Sequence, residues 1–233
     1  MDVDFIRRRA EQVRERIRLA CRRAGRDPDE ITLVAVSKTF PEQVVLAAHE
    51  AGLRHFGENK AQDFAAKFEA IDPLLGNDLT WHFIGHLQRN KVKLVAGRAH
   101  LIHGVDSLRL TRALQDFAES EDLQLKCLLQ VNVSGETSKY GLEPASLTGF
   151  LTEARAFDRI SYEGMMTLAS PTEDVRRLRE EFTRLRTCLE RGRELVESLA
   201  LLSMGMSNDF EIAVEEGATH VRLGSVLFGP REV

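Results

Sequence analysis

The sequence predicts a single (β/α)8 barrel, on three observations. Eight short apolar runs rich in β-branched residues alternate with longer segments of helical period, which is the pattern of βα units feeding a parallel sheet. Several runs are apolar at successive positions, as in Ile31-Thr-Leu-Val-Ala-Val36, and such runs suit strands covered on both faces. The length, 233 residues, is close to the usual size of a one-domain α/β barrel. A count of strands cannot establish that the first pairs with the last, so a flat doubly wound sheet stays open as the rival.

The eight strand candidates are residues 31–37, 53–57, 80–85, 101–105, 125–133, 160–167, 201–205 and 219–223. Helices are expected over 42–51, 60–70, 90–96, 107–120, 145–156, 173–189 and 209–216. Pro41 and Pro144 sit where first-turn prolines are tolerated, and Asn208 and Asp209 offer helix caps. Ahead of the first strand, residues 2–24 form an extra amphipathic helix with Phe5, Ile6, Val13, Ile17, Leu19 and Ala20 as its apolar stripe. Its eight arginines between Arg7 and Arg23 could track a phosphate backbone, but Asp2, Asp4, Glu11 and Glu15 intersperse them, so a solvated face is the better reading. No internal repeat or glycine-serine linker interrupts the chain, and residues 1–233 are expected to form one domain.

Thirty-six acidic against 32 basic residues leave a net charge of −4. That balance supplies no overall field for nucleic acid or an anionic membrane, so neither is expected as a partner and any anion site must be local. Cys21, Cys127 and Cys188 are odd in number, far apart and without a C-x-x-C pair, which argues against a disulfide framework and a cysteine-rich zinc site and fits a reducing cytoplasm. No run of about 18 apolar residues and no signal-like start is present, so an unexported soluble protein is expected. No heptad seam demands a dimer, and a monomer is expected.

Active sites of such barrels sit at the carboxyl ends of the strands. The residues that follow the runs are strongly polar as a set: Ser37-Lys38-Thr39, Glu58-Asn59, His86, Asp106, Asn132 and Ser134, Met165-Met166, Ser203 through Ser207, and Arg222 through Ser225. Barrel phosphate sites are commonly built from the loops after strands seven and eight. Ser203-Met-Gly-Met-Ser207 and Gly224-Ser225 offer there hydroxyls and glycines that let backbone N–H groups approach an anion. Lys38 follows a continuous apolar strand, where partial desolvation lowers an amine's pKa and favours Schiff-base chemistry, although strand-ending lysines are usually surface charges. An amine facing a phosphate cradle calls for a carbonyl-bearing phosphate ester. Arg222, two residues before Gly224, should enter the same mouth; the plainer reading pairs it with Glu58 or Asp106. His82 and His86 are separated by a strand exit and are not read as metal ligands. Trp81, Phe83 and Cys127 are read as core.

Seven ordered motifs resemble the pyridoxal phosphate homeostasis protein family (the YggS/PROSC family), nearly end to end. They are Leu33-Val-Ala-Val-Ser-Lys-Thr39, His55-Phe-Gly-Glu-Asn-Lys-Ala-Gln62, Trp81-His-Phe-Ile-Gly-His-Leu-Gln-Arg-Asn-Lys91, Val131-Asn-Val133 leading to Lys139-Tyr-Gly141, Gly164-Met-Met166, Leu202-Ser-Met-Gly-Met-Ser-Asn-Asp209, and Val221-Arg-Leu-Gly-Ser225 with Phe228-Gly229. The resemblance implies a barrel similar to the amino-terminal domain of alanine racemase, with pyridoxal 5'-phosphate held as a Schiff base on Lys38. It implies Arg222 beside the pyridine ring, Ser207, Gly224 and Ser225 at the phosphate with Ser203 and Met204 close by, and Asn59 near the cofactor. It also implies a carrier or buffer of the cofactor in vitamin B6 balance, without catalysis, and apo forms of pyridoxal-dependent enzymes as candidate recipients.

Two rivals stay open. A pyridoxal-dependent amino-acid racemase needs a second proton donor on the far face of the ring. Of the two tyrosines, Tyr162 falls at the start of strand six, away from the mouth, whereas Tyr140 lies in the loop after strand five. A Schiff-base lyase acting on sugar phosphates also combines a lysine with a phosphate site.

Overall fold

In the computed structural model, which describes residues 1–136 and 139–229, eight parallel strands close into a barrel in chain order. They are β1 (Thr32–Val36), β2 (His55–Glu58), β3 (Thr80–Phe83), β4 (Leu101–Val105), β5 (Leu125–Gln130), β6 (Ile160–Met166), β7 (Leu201–Ser203) and β8 (His220–Leu223). Closure is made by β1 and β8, with Val34 in register with Arg222 and Ala35 with Leu223. That pairing decides for the barrel over the open sheet. The runs at 125–133 and 201–205 are longer than the strands they form, which end at Gln130 and Ser203; Val131 and Met204 each keep one inter-strand bond, to the Met166 and His220 carbonyls, before the chain enters the mouth loops.

The helices are α1 (Val3–Ala24), α2 (Glu42–Glu50), α3 (Ala61–Leu75), α4 (Val92–Val95), α5 (Leu108–Ser120), α6 (Leu147–Ala154), α7 (Val175–Arg193), α8 (Phe210–Glu215) and α9 (Ser225–Phe228). Ser107 caps α5 through a bond from the Leu110 N–H, and Asp174 caps α7 through the N–H groups of Arg176 and Arg177. Asp209 takes the cap position of α8 but makes no forward cap bond. Its Oδ1 accepts from the Met206 N–H at 2.5 Å, so the predicted cap closes the turn before the helix.

Apolar side chains form two layers. Ala35, Phe56, Trp81, Phe83, Ile102, Cys127 and Leu129 point outward and pack under the helices, as expected for Trp81, Phe83 and Cys127. Leu101, Leu128 and Met166 form a small separate cluster on the alternate, inward parity. α1 packs on α2, α8 and α9 through buried Ile6, Ala10, Val13, Ile17, Ala20 and Cys21. Leu19, expected in that stripe, is instead 39% exposed. Several of its arginines bind the barrel rather than water alone: Arg16 pairs with Glu211 at 2.8 Å, Arg9 donates to the Val226 carbonyl and Arg14 to the Gly52 carbonyl. Among the described residues no helix is long and apolar enough to cross a membrane.

Candidate functional site

The mouth is built by what each strand does on leaving the ladder. β1 ends at Val36, and the Phe40 N–H donates to the Ser37 carbonyl at 3.0 Å, which places Lys38 and Thr39 in the middle of a tight turn. Thr39 has φ 72°, a left-handed conformation that a β-branched residue adopts at a cost of about 1–2 kcal/mol. Strain is thus stored immediately after the half-buried Lys38. Beside it, β2 ends in Glu58 and half-buried Asn59. A Cβ at Gly85 would lie 2.0 Å from the Asn59 carbonyl oxygen, so only glycine lets the exits of β2 and β3 approach this closely.

Beneath Lys38, on the outward parity, lies a buried ion pair. Lys67 of α3 donates to Glu58 Oε1 at 2.6 Å and to the Ser37 carbonyl at 2.8 Å, and the Ser37 hydroxyl donates to the same Oε1 at 2.7 Å. Glu58 is fully buried. The cluster clamps the last residue before Lys38 to the helix layer.

On the far side of β1, the loops after β7 and β8 meet. Gly205 has φ 93° and its carbonyl accepts the Arg222 N–H at 3.0 Å. The Ser207 hydroxyl oxygen accepts from the N–H groups of Gly224 and Val226, each at 3.4 Å. The expected cradle residues Ser207 and Gly224 are therefore adjacent, and Ser225 follows as an exposed residue. Met204 is placed differently: its side chain packs in the outer core, and its N–H donates to the His220 carbonyl.

Arg222 is buried and inward-facing. Its guanidinium donates to Ser203 Oγ at 2.6 Å and to the Thr167 carbonyl at 2.8 Å. The plainer pairing with Glu58 or Asp106 does not occur: Glu58 binds Lys67, and Asp106 lies 3.2 Å from His86 Nδ1. Burial brings Arg222 down to about 10, opposed by the field of Asp209, so the group stays cationic at neutral pH. Asp209 is itself raised by burial.

Below Arg222 the lumen is filled by histidines, of which only His82 is weighed individually from the sequence, and only to set aside a metal site. His103 Nδ1 lies 2.9 Å from Ser203 Oγ, His103 Nε2 lies 3.0 Å from His82 Nδ1, and His82 Nε2 lies 3.0 Å from His55 Nδ1. His220 stands against both His82 and His103, with ring centroids 5.9 and 6.1 Å away. Burial holds His82 and His103 well below the ordinary imidazole value, and His220 at about 4. The signal was present in the sequence: one histidine in each of the second, third, fourth and eighth runs, but only barrel closure puts those strands around one lumen.

At the rim, Tyr140 is 60% exposed and stacks on His86 at 3.9 Å between centroids, 12° from parallel. Tyr162 is buried against Phe150 in the helix layer, away from the mouth as expected.

The model of the alanine racemase amino-terminal domain family matches residues 9–232. The pyridoxal phosphate homeostasis protein of Aquifex aeolicus is 42% identical over 225 residues, 96% of this chain and 97% of that protein. The chain belongs to the pyridoxal phosphate homeostasis protein family. The Escherichia coli member is 38% identical over 221 residues, covering 95% of this chain and 94% of its own. Among solved structures, PipY of Synechococcus elongatus, determined with PLP bound, superposes with a TM-score of 0.84 at 33% identity, covering 96% of this chain and all of its own. The extent of these matches places the barrel mouth, the loops after β7 and β8 and the lumen of this family member inside the shared region.

Proposed function

We propose that this chain binds pyridoxal 5'-phosphate at the barrel mouth and acts as a non-catalytic carrier or buffer of it in the cytoplasm, with apo forms of pyridoxal-dependent enzymes as recipients. The observation that carries this reading is Arg222, a buried guanidinium bonded to Ser203 and the Thr167 carbonyl within the same mouth as the half-buried Lys38. The donor set fits the group: an amine for its aldehyde, N–H groups and the Ser207 hydroxyl at the β7 and β8 exits for its phosphate, and a cation for its ring nitrogen. Family membership and the PLP-bound relative support it.

When bound, the cofactor supplies an electron sink whose strength depends on ring protonation. Lys38 provides the covalent attachment. Asn59, Gly224 and Ser225 line the approach, with Ser203 and Met204 beneath or behind it. A cationic Arg222 at the ring nitrogen opposes protonation there and so weakens the sink, which suits holding the group over using it. Purified protein supplied with the vitamin is expected to be yellow, with a visible band that borohydride abolishes. Peptide mapping is expected to find the pyridoxyl group on Lys38, and Lys38→Ala is expected to lose both band and adduct; an adduct on another lysine alone defeats the assignment.

One observation favours the racemase reading: Tyr140, in the loop after β5, stacks at the rim on His86, whose Nδ1 lies 3.2 Å from Asp106. Chiral analysis of a panel of amino acids incubated with the loaded protein decides between the readings, since turnover above that of free cofactor supports the enzyme.

A further inference from the structure

We propose that His55, His82 and His103 form a one-directional hydrogen-bonded line along the barrel lumen that commits the Ser203 oxygen to Arg222 and so holds its guanidinium in one orientation, which makes His103 a positioning residue for the mouth. Its bearing on the ligand rests on the reading of Arg222 as the ring-nitrogen contact.

The direction follows from counting protons. A guanidinium only donates, a hydroxyl has one proton and two lone pairs, and a neutral imidazole has one donor and one acceptor nitrogen. Arg222 donates to Ser203 Oγ, so the hydroxyl proton must leave in another direction, and His103 Nδ1 is 2.9 Å away. His103 then carries its proton on Nε2, which faces His82 Nδ1, and His82 in turn donates from Nε2 to His55 Nδ1. The last proton in the line, on His55 Nε2, lies at the half-buried start of β2 on the barrel floor. The opposite direction sets His103 Nδ1–H and Arg222 both against the Ser203 oxygen and leaves the fully buried hydroxyl proton with no bond in the line. Only this polarity gives the buried hydroxyl proton an acceptor and leaves the unpaired proton of the line at its half-buried end, and buried polar groups without partners are rare.

The surroundings keep the line neutral. His82 faces His55, His103, His220 and His100; His103 faces His82, His220 and the Arg222 cation; His220 faces His55, His100 and Arg222. At the floor His100 feels Lys126 and Glu163. An imidazolium at His103 would set a second cation on the oxygen that accepts from Arg222. Burial opposes that charge, so His103 stays neutral at neutral pH and its hydrogen bonds select the tautomer.

The test uses the full chain labelled with nitrogen-15, at neutral pH and without ligand. Long-range proton–nitrogen correlation is expected to find His55, His82 and His103 neutral with the proton on Nε2, and Arg222 with separately resolved Nη–H signals from restricted rotation. A proton on Nδ1 of His103 or His82 overturns the proposal, as does a freely averaging Arg222. Ser203→Ala and His103→Leu are expected to average the Arg222 signals and to weaken pyridoxal 5'-phosphate binding by roughly tenfold. His103→Asn, which keeps an acceptor near the Nδ1 position, is expected to restore the resolved signals. Unchanged Arg222 signals in Ser203→Ala sink the idea even if His103→Leu fails to fold. If the tautomers are as stated but no adduct forms on Lys38, the ligand reading fails and the positioning role stands.

Discussion

At the scale of single residues, Ser207 and the Glu58–Lys67 pair carry opposite kinds of information. The Ser207 hydroxyl occupies the space between the Gly224 and Val226 N–H groups with long bonds of 3.4 Å, which leaves those donors able to take a stronger acceptor. Ser207→Ala is expected to weaken pyridoxal 5'-phosphate binding by about 1 kcal/mol, a factor of about five; an unchanged dissociation constant moves the cradle elsewhere. Glu58 and Lys67 are structural instead. Removing one partner of a buried pair strands the other charge, so Glu58→Gln is expected to destabilise the fold by about 3–5 kcal/mol. Replacing both by apolar residues of similar volume is expected to be milder, and urea unfolding of the single and double variants checks the order.

At the scale of elements, α1 shows which of its two faces holds it in place. Ile6, Ala10, Val13, Ile17, Ala20 and Cys21 are buried against α2, α8 and α9, whereas Arg16 and Glu211 keep 40% and 35% of their side chains exposed. Exposed pairs contribute little once solvent screening is counted. Ile6→Ala is therefore expected to lower stability by about 2–5 kcal/mol, and Arg16→Ala by less than about 1 kcal/mol, even though Arg16 also lies 4.5 Å over the Phe210 ring. Equal losses in denaturant unfolding would show that the arginine face docks the helix. The element boundaries predicted from periodicity hold for β4, and for α2 and α5 to within one residue. They overshoot at β5 and β7 because an apolar run continues into a loop once burial by neighbouring loops replaces burial in the sheet.

For the whole molecule, the lumen couples stability to pH. His82, His103 and His220 are held neutral by burial, His220 near 4, with smaller downward shifts at His55 and His100. In the unfolded chain each takes up a proton near 6.5. Below that pH the unfolded state binds protons that the folded state refuses, so stability is greatest above about 6.5 and falls as pH drops toward the folded values. The slope is at most about 1.4 kcal/mol per pH unit for each such histidine. The melting temperature is expected to drop steadily from pH 7 to pH 5, above the range where most carboxylates titrate; a flat profile there contradicts the buried neutral column.

The alternation of strands and helices, Lys38 at the first strand exit and the polar, glycine-bearing loops after the seventh and eighth runs could be read from local order, because periodicity and turn chemistry are properties of neighbouring residues; the motifs speak only through resemblance to a family. The sequence by itself therefore determined the alternating β/α order and which residues follow each strand. Tertiary structure decided the rest: that β8 closes on β1, that Arg222 binds Ser203 and Thr167 instead of a carboxylate, that Met204 turns outward, and that four histidines from distant strands share one lumen. Those contacts join residues far apart in the chain, 188 positions for Val34 and Arg222 and 100 for His103 and Ser203, and no local pattern encodes which strands face one another until the sheet has curved shut.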